Sequence, residues 1–403
     1  MKSKNIKRFQ PLSFRLIILS FVSLILILVA IFAIYSLFVK NGQTTKLLDN
    51  SSIQIVALQK DLEETRKVLF NLEISDQIKV NNELNTEIKN IQKTFNEAVV
   101  VYEDIVDLRV AKINTQKIDE KFSTILKSLA DKKYTDAETK ITETRALIKT
   151  ETDKLTASTI ASVSTANLTS SNSTPDSGYR RQQVSTDIGS FVVDIVTADL
   201  GSTKVIVDTA SDGDCRNDCP VMSVGNYASR SGAYAAINGS YFCPASYPSC
   251  SDKKNSFDTL LMNKNKTYFN SDNNVYSTVP AVIFSSQSRF VSQSLEWGRD
   301  TSVDGVIANQ PLLTHNGQLL FGGDSDAKKT SKANRSFVGS SGNKVFMGVV
   351  YSASVAEAAK VLHTLGIQNS LNLDSGGSTA FWVGGYKAGA GRDVPNAVLF
   401  VKR

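Results

Sequence analysis

The sequence is poor in metal-binding side chains. It has only two histidines, His315 and His363, and neither stands at a metal-ligand spacing from another candidate donor. A zinc site built on His and Cys is therefore not expected. Asp212, Asp214 and Asp218 cluster, but the EF-hand pattern is absent and Arg216 intrudes, so no calcium site is expected either. No metal and no cofactor enter the reading of this chain. No basic stripe with interleaved aromatics is present. The net charge is only +6, and much of the excess precedes the first apolar run, in Lys2, Lys4, Lys7, Arg8 and Arg15. Nucleic acid is not an expected partner. Residues 49–154 contain neither Pro nor Gly, which removes the usual turn formers from a quarter of the chain.

What is present divides the 403 residues into distinct compositional blocks. Residues 1–15 form a basic N-terminus. Residues 16–39 are an unbroken apolar run of 24 residues, long enough to cross a bilayer as a helix. Phe32, Tyr35, Leu37 and Phe38 crowd its far end, where a signal peptide would carry small residues at a cleavage site. Basic residues precede the run and only Lys40 follows closely. The expectation is a retained single-pass membrane anchor with a cytoplasmic N-terminus and everything after Lys40 outside.

Residues 41–155 read as helices. Leu84, Ile88, Ile91, Phe95, Ala98, Tyr102 and Ile105 alternate spacings of four and three, a heptad stripe. A second stripe runs through Ile118, Phe122, Ile125 and Leu129, and a third through Ala137, Ile141, Thr144 and Ile148. These are packing faces, so the segment is expected to be a helical bundle or coiled-coil stalk, with homo-oligomer formation through it as one outcome. Residues 156–182 are rich in Ser, Thr, Ala and Asn and end in Pro175-Asp-Ser-Gly178, the composition of a flexible linker. All four cysteines, Cys215, Cys219, Cys243 and Cys250, fall within 36 residues and show no C-x-x-C spacing. In a chain held outside the cytoplasm they form two disulfides in one of three pairings, of which Cys215–Cys219 with Cys243–Cys250 is the local one.

Residues 183–403 shift to short β-rich runs with one amphipathic helix, giving an α+β domain. Ser354 with Glu357 is a capping box for that helix and Gly366 is its stop. The helix feeds into Ser370-Leu-Asn-Leu-Asp374-Ser-Gly-Gly-Ser-Thr379. Leu371 and Leu373 occupy one strand face and Asn372 the other, so the strand aims Asp374 from its tip. Ser375, Gly376, Gly377, Ser378 and Thr379 surround that carboxylate with hydroxyls and accessible backbone N–H groups.

The order and spacing of further motifs resemble the phosphodiester glycosidase family. They are Ala236-Ile-Asn-Gly-Ser-Tyr-Phe242, Ile307-Ala-Asn-Gln-Pro-Leu-Leu313 with Asn316-Gly317, Arg335-Ser-Phe-Val-Gly339, Leu373-Asp-Ser-Gly-Gly-Ser-Thr379 and Arg392-Asp-Val-Pro-Asn-Ala397. The resemblance spans roughly residues 184–403. The sequence departs from the family pattern at Ser240 and Ser375, where the family usually has Gly, at Ser336, where it has Thr, and at Asn309-Gln310, where it is glycine-rich.

The resemblance implies hydrolysis of a sugar–1-phosphate–alcohol diester, such as a glycosyl phosphodiester of an envelope glycan or exopolysaccharide. That chemistry needs a carboxylate at the anomeric centre, a cation on the phosphodiester and donors for the sugar. Asp374 is the candidate carboxylate and Arg335 the candidate phosphate clamp. Asn238 is a candidate to bind the sugar or orient Asp374. Ser375, Gly376, Gly377, Ser378, Thr379 and Arg392 are candidate substrate contacts. Tyr241 and Phe242 read as core, and His315 as a solvated turn residue. The competing readings are a non-catalytic glycan-binding or scaffolding module of the same fold, and a sensor whose functional part is the helical segment.

Overall fold

The structure is a computed structural model that describes residues 12–73, 76–162, 168–271 and 278–403. Lys2, Lys4, Lys7 and Arg8 lie outside the described residues, as does part of the expected linker. Two compact units are present, residues 1–89 and 90–403.

In the first unit, helix α1 (Leu12–Glu73) runs on well beyond the apolar run. Nothing in the sequence after Lys40 breaks it, since Gly42 is the sole helix-weakening residue before Asp49. Among the described residues it is the one helix long and apolar enough to cross a membrane. Its apolar side chains from Ile18 to Val39 are exposed all round, as a helix facing hydrocarbon requires.

The second unit begins within α2 (Asp76–Val110), which is followed by α3 (Gln116–Ala130) and α4 (Tyr134–Ser162). Ala98, Val101, Ile105 and Leu108 of α2 close on Ile118, Ile125 and Leu129 of α3 and Ala137, Ile141 and Ile148 of α4. The second and third stripes are therefore packing faces within one chain. The buried stripe of α2 is rotated from the one expected: Leu84, Ile88 and Phe95 are exposed, while Val101 and Leu108 are buried. Thr94 makes this possible. It enters the core because its hydroxyl is satisfied within the helix by the Asn90 carbonyl at 2.7 Å.

The rest of the unit is a mixed α+β domain of three sheets. The largest has the order β1-β2-β3-β14-β13-β15-β11-β12. Its strands are β1 (Thr169–Ser170), β2 (Gly178–Thr186), β3 (Gly189–Asp199), β11 (Leu312–His315), β12 (Gln318–Leu319), β13 (Ala333–Ser341), β14 (Lys344–Ala353) and β15 (Asn369–Asn372). A second sheet is ordered β17-β16-β5-β18-β4, from β4 (Thr203–Thr209), β5 (Ala235–Asn238), β16 (Phe381–Val383), β17 (Tyr386–Ala388) and β18 (Asn396–Lys402). The third, β7-β6-β10-β8-β9, contains β6 (Leu261–Met262), β7 (Tyr268–Phe269), β8 (Ala281–Phe284), β9 (Ser288–Val291) and β10 (Gly305–Ala308).

The inner faces of the three sheets share one core, in which Val196 and Met347, Val207 and Ile237, and Val282 and Ile307 meet. Helix α5 (Val224–Ser231) covers the outer face of the second sheet through Val224, Tyr227 and Ala228. Helix α6 (Val355–Thr364) covers the outer face of the largest sheet. Its capping box is formed, with Ser354 N donating to Glu357 Oε2 at 2.7 Å and Glu357 N to Ser354 Oγ at 3.2 Å. Gly366 turns the chain out of it at φ +73°.

Order begins earlier than the composition implied. The Ser- and Asn-rich stretch from Thr169 pairs with β2, and Gln182 ties it down by donating to the carbonyls of Ser171 at 2.9 Å and Ser173 at 3.0 Å. The polar side chains that read as linker are thus satisfying backbone at the edge of the sheet. Deeper in, Asp194 is fully buried on β3, clasped by Arg181 through two bonds of 2.6 Å and bonded by Tyr179 at 2.9 Å and Tyr351 at 2.6 Å. A buried carboxylate so completely paired is a structural element of the sheet junction.

Candidate active site

The site is assembled where strand ends from all three sheets converge. β15 delivers Asn372 and then Asp374, and the backbone there is pinned from both sides. Leu373 N donates to Ser336 O at 2.9 Å, and Asp374 N donates to Gly239 O at 2.9 Å. Gly239 is needed at this crossing, because a Cβ there would collide with the side chain of Asn396.

Four asparagines, all fully buried, lock the junction: Asn238, Asn309, Asn372 and Asn396. Asn238 Nδ2 donates to Asp374 O at 2.6 Å, and its Oδ1 accepts from Ser336 Oγ at 2.8 Å and Ala380 N at 3.1 Å. Asn309 joins the third sheet to β15 by accepting from Tyr241 N at 3.0 Å and donating to Asn372 O at 2.8 Å. Asn372 donates to Tyr241 Oη at 2.6 Å. Asn396 accepts from Ser240 N at 2.9 Å and donates to Ser240 Oγ at 3.0 Å. An Asn at a strand end can satisfy one donor and one acceptor of a neighbouring chain at once, which suits it to such a corner.

Asp374 is half-buried. Burial pushes its carboxyl up to about 6, against the stabilising bonds from the Ser378 hydroxyl and the Ser375 N–H and the field of Arg392. The N–H bond measures 2.9 Å. Ser375 Oγ points back into the fold, donating to Leu373 O at 3.1 Å and accepting from Ser336 N at 3.3 Å. Thr379 Oγ1 donates to Asn334 O at 2.8 Å and likewise faces inward. Gly376 adopts φ +65° at the rim. Of the loop's hydroxyls, Ser378 is thus the one that bonds the Asp374 carboxylate.

The two candidate arginines differ sharply. Arg335 is buried, and its Nε and Nη2 are spent on the carbonyls of Ala353 at 2.9 Å, Lys328 at 2.9 Å and Ser331 at 2.5 Å. Burial lowers its pKa, while Tyr241 and Asp374 oppose that shift. Arg392 lies over Gly377, with its N–H donating to Gly377 O at 2.9 Å. A Cβ at position 377 would run into its guanidinium. Its side chain is 11% exposed and ion-paired to Asp107 through Nη2, while Nε and Nη1 are buried without a hydrogen-bond partner. Such free, buried guanidinium donors are the ones an oxyanion would take.

Both cysteine pairs close locally, Cys215–Cys219 and Cys243–Cys250. The second holds a short loop carrying Tyr247, whose ring is approached by two cations. Arg392 Cζ is 5.0 Å and Lys328 Nζ 4.9 Å from the ring centroid. Tyr247 was not singled out from the sequence, nor were Asn309, Asn372 and Asn396 as site residues, although they stand in its motifs. The asparagines could have been, since each stands at the end of an apolar strand run beside Gly, Ala, Leu or Gln.

No curated protein matches the sequence of this chain. Among solved structures, a hypothetical protein from Synechocystis is 15% identical with a TM-score of 0.44, over 56% of this chain and 62% of that one, so the chain spans less than two thirds of that relative. The catalytic domain of zebrafish N-acetylglucosamine-1-phosphodiester alpha-N-acetylglucosaminidase, auto-inhibited by its pro-peptide, is 15% identical with a TM-score of 0.43, over 59% of this chain and 87% of that one. A putative exported protein from Burkholderia pseudomallei is 11% identical with a TM-score of 0.33, over 53% of this chain and 74% of that one. In sequence, residues 231–401, which hold every residue of the asparagine junction together with Asp374 and Arg392, match the phosphodiester glycosidase family.

Proposed function

We propose that the α+β domain is an extracytoplasmic hydrolase that cleaves glycosyl-1-phosphodiesters, held at a membrane by α1 with the N-terminus in the cytoplasm. The observation that carries this reading is Asp374, raised to about 6, in the field of Arg392, whose buried Nε and Nη1 have no partner. The first supplies a carboxylate for the anomeric centre and the second a cation for the phosphodiester.

In the reaction the anomeric carbon–oxygen bond breaks and its electron pair stays with the phosphate oxygen. Ionised Asp374 stabilises the developing positive charge at the anomeric carbon. Arg392 neutralises the departing phosphate monoester, which needs no strong general acid because its conjugate base is already stable. Water completes the exchange to give free sugar and a phosphate monoester. Arg335 acts as a positioning residue, since its bonds fix the segment that carries Lys328 and Ser331. A surface polymer built from sugar phosphates is the substrate class that an anchored, disulfide-containing domain would meet.

The test is hydrolysis of a panel of sugar-1-phosphate diesters by the full chain in detergent, wild type against Asp374→Asn. Sugar release that falls at least about a hundredfold in the variant supports the assignment. Equal turnover in both removes Asp374 from its role. Glycan affinity without turnover in either makes the domain a binding module.

A further inference from the structure

Arg181, Arg230 and Arg392 of the second unit are each ion-paired to a carboxylate, and the first two show how this chain clasps a carboxylate when the purpose is structural. Arg181 grips Asp194 through Nε and Nη2, both at 2.6 Å. Arg230 grips Asp208 through the same two nitrogens, at 2.8 and 2.6 Å. Arg392 is different. Asp107 takes its Nη2 alone, and Nε and Nη1 are left empty. Nη2 is the nitrogen common to both two-pronged edges of a guanidinium. It carries one hydrogen on each edge, so a carboxylate there competes with a bidentate anion for an edge without filling it.

Asp107 comes from α2, at some distance in sequence from the motifs of the site. It does not stand alone. Its other oxygen accepts from Tyr247 Oη at 2.7 Å. Glu103, one turn earlier, is buried, accepts from Ser249 Oγ and pairs with Lys328 at 3.4 Å. Asp104 lies between them in the field of Asp107, Lys328, Arg145 and Glu103. Three acidic residues thus fall in the last two turns of a helix, with Arg109 the basic residue of the final turn. Negative charge is disfavoured there by the helix dipole. A sequence that violates the local rule in this way has a tertiary reason for doing so, and here the reason is the cationic rim formed by Arg392 and Lys328.

The geometry points to Asp107 as a built-in competitor for the anion position of the site: the acidic edge of α2 occupies Arg392 in the resting chain and yields it to the phosphate group of a substrate. This rests on the assignment of Arg392 as the phosphate contact in the proposed function. Binding of an anionic ligand is then opposed by an intramolecular carboxylate, and displacement of the end of α2 accompanies binding.

The experiment uses the full chain in detergent and inorganic phosphate as the probe, with affinity read by calorimetry. Asp107→Asn is expected to tighten phosphate binding about tenfold, the loss of one competing ion pair, and Arg392→Gln is expected to abolish binding in both backgrounds. Unchanged or weaker binding in Asp107→Asn overturns the inference and makes Asp107 a holder of Arg392. Should that variant not fold, hydrogen exchange of the wild type decides. Phosphate is expected to speed amide exchange over residues 100–110, and binding that leaves or slows exchange there overturns the inference. Phosphate is not a substrate. Tight binding without turnover of any diester would therefore remove the hydrolase and leave the competitor in place, whereas turnover with unaltered phosphate affinity would do the reverse.

Discussion

Asn238 holds Asp374 by its backbone and not by its carboxylate. Nδ2 donates to the Asp374 carbonyl at 2.6 Å, so the side chain is aimed from behind while both of its oxygens stay available for other partners. Replacing Asn238 by Ala strands that carbonyl, the Ser336 hydroxyl and the Ala380 N–H in a fully buried place. A loss of roughly 2–4 kcal/mol is expected. Urea unfolding of the variant checks it, and a midpoint unchanged from wild type would show that the junction does not depend on this residue.

Asp374 sets a pH dependence with opposite signs for activity and stability. Because the ionised form is the working one, kcat/KM should rise with pH through about 6. For stability, the folded carboxyl holds its proton more tightly than the unfolded one, whose ordinary value is 3.8. Its contribution is therefore full below that value and is lost as pH climbs through about 6. Asp374→Asn should abolish turnover and yet match or exceed wild type in stability at pH 8, by up to about 3 kcal/mol. Paired rate and denaturation profiles across pH 4–8 test both signs.

The two arginines should separate cleanly in kinetics. Arg392→Lys keeps a charge but loses the planar donor set, so KM for a diester should rise about tenfold or more with little change in unfolding midpoint. Arg335→Met leaves three carbonyls without their donor. It should destabilise the fold by roughly 2–4 kcal/mol. A variant of Arg335 with wild-type stability and a raised KM would return the phosphate clamp to that residue.

The Cys243–Cys250 loop supplies the aromatic face against Arg392. Replacing both cysteines by Ser should cost about 2 kcal/mol, as expected for a short closed loop, and should weaken binding of phosphate because Tyr247 loses its fixed position. Equal affinity in the serine double variant would mean that Tyr247 is held by its own contacts alone.

The strand that aims Asp374, the capped helix before it and the local cysteine pairs are all legible in the sequence, because each rests on short-range chemistry. Leu371 and Leu373 alternate as a strand must, and Ser354 with Glu357 is a cap wherever it is met. Long-range partnership is a different matter. An Arg beside small polar residues at position 335 and one beside Asp at position 392 look alike in one dimension. Only the fold reveals that carbonyls of three other residues converge on the first. Asp107 was equally hidden. Its position on α2 satisfies the helical pattern, and nothing local distinguishes it from a solvated charge. The serines at 240, 336 and 375 read as departures from the family pattern. In the fold Ser336 N bonds Ser375 Oγ, and Ser240 pairs with Asn396, so the altered side chains are absorbed by one another and by the junction.

Strand β18 lies between β5 and β4 in its sheet, and Asn396 enters the site from it. Among the described residues it follows every other strand in chain order and is the sole strand partner of β4. As the chain emerges vectorially from a ribosome or an export channel, nearly two hundred residues separate the appearance of β4 from that of its partner. Throughout that interval β4 lacks its strand partner and the asparagine junction lacks Asn396. The Asn396 corner of the junction therefore forms only once residues 396–402 have emerged. A chain stalled a dozen residues short of them lacks both the strand partner of β4 and the Asn396 corner of the junction.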